Sequence, residues 1–98
     1  MTKVVISAVA QDDLDDIWFH IAAESPVSAD RFIDRLIEVA SGTLGTAPLA
    51  GRAREVYGSG LSSLAVENYA VFYRVKGSTA EIVRIRHGAH DFDSIFDA

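Results

Sequence analysis

Tyr69-Ala70-Val71-Phe72-Tyr73-Arg74-Val75-Lys76-Gly77-Ser78-Thr79-Ala80-Glu81-Ile82-Val83-Arg84-Ile85-Arg86-His87 reads as two strands joined by a tight turn, the start of a sheet. Tyr69, Val71, Tyr73 and Val75 alternate with Ala70, Phe72 and Arg74, a period of two that puts one set on each face of a strand. Gly77-Ser78 suits a two-residue hairpin turn with glycine at its first central position. Thr79 to His87 reads as the return strand, with Ile82, Arg84 and Arg86 expected on one face and Val83, Ile85 and His87 on the other. Upstream, Leu61 to Val66 is a weaker strand joined to Tyr69 through the turn Glu67-Asn68. Three consecutive hairpin-connected strands therefore form the C-terminal half.

The N-terminal half has the other period. From about Val9 to Glu24, Leu14, Ile17, Trp18, Ile21 and Ala22 recur at helical spacing opposite Asp12, Asp13, Asp15 and Asp16, which are expected on an exposed face near the helix start. Ser25-Pro26 marks a new helix, with Ser25 as N-cap and Pro26 at the first helical position. Ala29, Phe32, Ile33, Leu36, Ile37 and Ala40 form its apolar stripe, and Gly42, Gly45 and Pro48 are expected to end it near Leu44. So short a connection makes the two helices an antiparallel hairpin. Lys3 to Ser7 is a first strand, and the unbroken run Val4-Val5-Ile6 predicts an interior one rather than an exposed edge. Ala47 to Gly60 is a loop-rich crossover, and Asp91 to Phe96 is a terminal turn or tail. The order β-αα-βββ predicts an α+β fold over residues 1–98 as one domain, a helical hairpin on one face of a small, mostly antiparallel sheet.

Composition narrows the function classes. A 98-residue chain with 49% hydrophobic and 23% charged residues is globular, near the size where core burial is marginal and a permanent partner helps. No apolar run is long enough for a membrane span or a signal segment, and with no cysteine there is no thiol chemistry, so a cytoplasmic protein without membrane contact is expected. No dinucleotide fingerprint, P-loop or HExxH occurs, and no cofactor is expected. A net charge of −5 argues against a free-standing, non-specific nucleic-acid binder. The charge is segregated: residues 1–50 hold three bases against eight acids, residues 51–88 hold six bases against three, and Asp91, Asp93 and Asp97 return the tail to negative.

The candidate site residues lie in the basic half. Arg84 and Arg86, two apart on the last strand, share a face and can jointly grip phosphates or carboxylates, or else pair with Glu67 or Glu81 as solvent-exposed strand residues. Arg52 and Arg54, in Gly51-Arg52-Ala53-Arg54, can place guanidinium groups on a target, or tether the loop through Glu55. Arg74 is expected to brace the sheet. His87, at a strand end among arginines, is a candidate general acid or base or a structural hydrogen-bonder, and His90 follows it, whereas His20 lies on the first helix in partly exposed packing. His87 and His90 with Asp91 and Asp93 do not make a convincing metal set, and no metal is expected. Trp18, Phe32 and Phe72 are expected in the core.

In wording and order, Gly51-Arg52-x-Arg54, Tyr69-Ala70-Val71-Phe72-Tyr73-Arg74-Val75 and Ile82-Val83-Arg84-Ile85-Arg86-His87-Gly88 resemble the ParE branch of the ParE/RelE toxin superfamily. The likeness extends through Ala10-x-x-Asp13-Leu14-x-x-Ile17 and Ala29-x-x-Phe32-Ile33-x-x-Leu36 to His87-Gly88-Ala89-x-Asp91, nearly the full chain. The resemblance implies a toxin of a bacterial type II toxin–antitoxin system that inhibits DNA gyrase by binding. Arg52, Arg54, Arg84, Arg86 and His90 would touch its target. It also implies a ParD-like antitoxin whose C-terminal segment covers apolar surface, for which Tyr57, Leu61, Leu64, Phe92 and Phe96 are the candidates, and binding to operator DNA only through that antitoxin. The enzymatic alternative is a RelE-like ribosome-dependent mRNA endonuclease, whose cations and acid/base group Arg52, Arg54, Arg84, Arg86 and His87 could supply, with Arg84, Arg86 and His87 as the catalytic candidates, and a third is a toxin reduced to an antitoxin-binding module. The family pattern usually has arginine where Ser62 and His90 stand, so the resemblance implies less positive charge on the working face here.

Overall fold

The computed structural model describes residues 2–88. β1 (Lys3–Ile6) leads into α1 (Ala8–Ala22) and α2 (Pro26–Thr46), followed by β2 (Arg52–Ala53), a 3-10 turn (Glu55–Tyr57), β3 (Leu61–Val66), β4 (Tyr69–Lys76) and β5 (Thr79–His87). The sheet order is β1-β5-β4-β3-β2, antiparallel except for the parallel pair β1–β5. The two helices pack on a mixed five-stranded sheet, which bears out the α+β architecture.

Local chemistry sets the helix starts. The Ser7 hydroxyl accepts from the Ala10 N–H and the Ser25 hydroxyl from the Ser28 N–H, with Pro26 opening α2 as its sequence position predicts. Because α1 begins at Ala8, the acids fall after its first turn, and the expected dipole pairing at the helix start is not made. α2 runs through Gly42 and Gly45 to Thr46, further than expected. Ala40 and Leu44 continue its buried stripe, and that packing outweighs the roughly 1 kcal/mol each glycine costs in a helix. The Trp18 indole N–H donates to Asp30 at 2.7 Å and ties the helices together, so Trp18 is only half-buried.

Both hairpins form where the sequence places them, with Glu67 and Gly77 taking positive φ in the turns. The main core joins Leu14, Ile17, Leu36 and Leu44 of the helices to Val66, Val71, Tyr73, Ile82 and Ile85, each fully buried Leu or Ile contributing about 1.5–3 kcal/mol. Phe32 packs at its margin, its ring 5.5 Å from that of Tyr69. Phe72 is wholly buried, but on the opposite face, in a second cluster with Leu61, Ala70, Tyr57 and Val83.

Three expectations are corrected. β1 is an outer strand, and Val4 and Ile6 are apolar because they pack against the core; Lys3 is exposed on that edge. The crossover holds an additional two-residue strand, β2, too short for periodicity to register. The alternation on β5 also breaks. Phe72 pairs with Arg84 but Tyr73 with Ile82, so Val83 is bulged and Ile82 and Ile85 both reach the helix-side core.

Candidate functional site

The bulge creates the site's most constrained feature. Beyond Ile82, β5 loses its β1 neighbour, and α1 takes that place. The Ser7 N–H donates to the Ile82 carbonyl, the Ser7 hydroxyl to the Val83 carbonyl, and the Ile85 N–H to Asp13 Oδ2 at 2.9 Å. Asp13 is 6% exposed and also accepts from Arg84 Nε at 2.9 Å and Arg84 Nη2 at 3.2 Å, a bidentate charge-assisted pair. Arg84 and Arg86 pair across to Phe72 and Ala70 of the second cluster, so both leave β5 on the face away from the helices and turn over its free edge. There they part: Arg84 binds Asp13, while Arg86 Nη1 stays 4.0 Å from Asp13 Oδ1. Arg86 Nε is sealed from solvent with no hydrogen-bond partner.

The expected partners Glu67 and Glu81 are thus replaced by Asp13, which sequence reasoning set on the exposed acidic face. The available signal was spacing: Asp13 lies three residues after Ala10 and four before Ile17, on the buried stripe. Glu67 pairs instead with Arg35 at 2.9 Å, an exposed bridge worth little.

At the other end of the sheet, Gly51 lets the basic loop dock. Its N–H donates to the buried Tyr73 hydroxyl at 2.9 Å, and a Cβ there would lie 2.7 Å from the Ser63 carbonyl oxygen. Arg52 pairs with Ser63 across β2–β3, and Arg54 Nε donates to Ser63 Oγ at 2.8 Å. Glu55, the expected tether, accepts from the Gly60 N–H instead. Arg74 donates to the Ser59 carbonyl at 3.1 Å and braces the sheet as expected.

His87 is half-buried, with its ring edge-on to Tyr69 at 5.2 Å. This ring pair divides two clefts. One, of about 490 Å³, brings together Arg54, Ser63, Ala65, Ala70 and His87. The other, of about 300 Å³, lies between α1 and β5 and contains Arg86, Ile17, Ile85 and His20. Burial raises the pKa of the Tyr69 phenol between them above its ordinary value. His20 is exposed on the second cleft's rim rather than in partly exposed packing.

The apolar candidates are distributed differently from expectation. Leu61 is 1% exposed and Tyr57 packs on Phe72, so neither forms an open patch, and Leu64 packs on the main core. Phe92, Phe96 and His90 lie outside the described residues. Among the described residues the exposed large apolar side chains are instead Phe19, 67% exposed, with Val9, Val27, Val39, Leu49 and Val56. On the helices, these are apolar residues outside the core stripes, a signal legible in the sequence. Ser62 pairs with Ala53 and Tyr73, so it stands on the helix-side face, away from Arg52 and Ser63. We therefore expect Ser62→Arg to leave target affinity within about twofold of wild type, as measured by titration, because a guanidinium added there does not join the Arg52 surface.

Among the described residues no group of three or more His, Cys, Asp or Glu side chains is placed to hold a metal ion, and no helix is long and apolar enough to cross a membrane. The chain resembles the chromosomal ParDE toxin–antitoxin system of P. aeruginosa, with 26% identity over 89% of this chain and 96% of that one and a TM-score of 0.76. It also resembles the toxin–antitoxin complex RelBE2 of Mycobacterium tuberculosis, with 26% identity over 91% and 93% of the two chains and a TM-score of 0.67. Comparison with curated proteins gives no match. The family model describing the ParE toxin of the type II toxin–antitoxin system parDE matches residues 4–92, and the chain belongs to that family.

Proposed function

We propose that this ParE-family toxin inhibits DNA gyrase by binding rather than by turnover, and that a ParD-like antitoxin neutralises it in the cytoplasm. The observation that carries the binding reading is the Asp13–Arg84 pair. Phosphodiester cleavage needs a free cation on the scissile phosphate beside a proton-transfer group. Of the cations expected in such a set, Arg84 is committed to a buried carboxylate and braces the strand, which leaves Arg86 as the arginine of β5 beside His87. The target surface proposed here is the sheet face away from the helices, where Arg52 and Arg54 stand beside Ser63 at the β2 edge. Arg84 is withdrawn from the target-binding set, and operator DNA is reached through the antitoxin, consistent with the net charge of −5.

A RelE-like mRNA endonuclease is the second reading, favoured by Arg54 and His87 lining one cleft and by the likeness to RelBE2. Induced expression in growing cells separates the two. We expect growth arrest with loss of plasmid supercoiling, preserved in His87→Ala, and no codon-phased breaks by primer extension on translated mRNA. Codon-phased breaks that disappear in His87→Ala would establish the endonuclease instead, and normal growth would leave an antitoxin-binding module.

A further inference from the structure

We propose that the cleft between α1 and the C-terminal half of β5 receives an acidic side chain of the antitoxin, held by the guanidinium of Arg86, with an apolar neighbour seated on Ile17 and Tyr69. The inference rests on the antitoxin partnership proposed above. Asp13 already accepts from two Arg84 donors and the Ile85 N–H, and Arg86 reaches it only through an ion pair at 4.0 Å, too long for a hydrogen bond. Its Nε is a buried donor without an acceptor, an unfavourable state that is relieved if the guanidinium swings outward onto a carboxylate. The side chain is 33% exposed, so its outer nitrogens are already within reach of a ligand.

The cleft has the size and chemistry for one such side chain. Its volume is about 300 Å³, and Ile17, Tyr69 and Ile85 supply apolar wall, with His20 and His87 also in the lining. Asp16, exposed on the rim, opposes an anion only weakly because water screens it. Phe19, next to His20 on α1, is 67% exposed, so a partner segment crossing α1 to reach the cleft would also cover apolar surface. The net charge of −5 opposes a polyanionic nucleic acid more strongly than a single carboxylate carried by a protein. The neighbouring Arg54 cleft lies across the Tyr69–His87 ring pair, so an antitoxin anchored at Arg86 would stand against the target surface.

The test uses the full chain and two measurements. The first follows the Arg86 Nε–H resonance, assigned by its absence in Arg86→Gln, during titration with N-acetyl-glutamate amide. We expect a saturable shift, with much smaller responses to N-acetyl-glutamine amide and to inorganic phosphate at equal ionic strength. An equal response to the glutamine probe, a stronger one to phosphate, or no saturable shift would overturn the assignment. The second compares antitoxin affinity for wild type and Arg86→Gln, with at least a tenfold loss expected and no fall in urea midpoint, since the substitution removes the orphaned donor. Unchanged affinity would overturn the cleft while leaving the partnership standing. If no antitoxin binds the wild-type chain, the partnership fails, and the probe titration decides the cleft alone.

Discussion

Asp13→Ala is expected to lower stability by about 3–5 kcal/mol, the cost of removing one member of a buried ion pair and leaving the other without a partner. Three donors lose their acceptor together: Arg84 Nε, Arg84 Nη2 and the Ile85 N–H. The backbone donor matters most to the fold, because at that position a carboxylate from α1 stands where a neighbouring strand would be. For a domain of this size, the loss corresponds to a fall in Tm of roughly 12–40 °C. Asp13→Asn keeps one oxygen for the Ile85 N–H but turns an amide toward Arg84, and should cost less. Urea denaturation of the three proteins checks the order, and an Asp13→Ala midpoint close to wild type would show that the pair is not holding β5.

Gly51→Ala should have the next largest effect, on stability and target binding together. The new methyl group would meet the Tyr73 hydroxyl and ring and the Ser63 carbonyl oxygen, none of which can move freely, since Tyr73 is 1% exposed and Ser63 is paired with both Arg52 and Phe72. Overpacking of this kind costs about 1–3 kcal/mol, and the Gly51–Tyr73 hydrogen bond breaks with it. The loop would lift, carrying Arg52 and Arg54 off their register on β3. Tyr73→Phe, which removes the hydrogen bond but adds no bulk, separates the two causes: a smaller loss of stability, measured by denaturation, is expected there.

How much of this was legible in the sequence depended on whether the signal was local. The alternation from Tyr69 to Val75 and the glycine turn at Gly77 set β4 and its hairpin to the residue, and Ser25-Pro26 set the start of α2. Position in the sheet is a tertiary matter. The run Val4-Val5-Ile6 looks interior, yet it is an outer strand whose apolar character comes from packing against the core. The bulge at Val83 left no mark in composition, so Arg84 and Arg86 read as an equivalent pair. Their separation into a hydrogen-bonded brace and a more loosely paired cation depends on Asp13, 71 residues from Arg84 along the chain. Spacing alone did place Asp13 on the buried stripe of α1, but four acids within five positions read first as a solvated face.

Gyrase binding through the β2 edge is decided by titrating purified gyrase supercoiling activity with the wild-type chain and with the Arg52→Gln, Arg54→Gln double variant. Dose-dependent inhibition by wild type is expected. At least a tenfold higher concentration should be needed for the variant, because a charge-assisted hydrogen bond in a desolvated interface is worth about 1.5–3 kcal/mol. Undiminished supercoiling in an excess of the wild-type chain would contradict the gyrase reading, and equal inhibition by the two proteins would contradict the surface assigned to it.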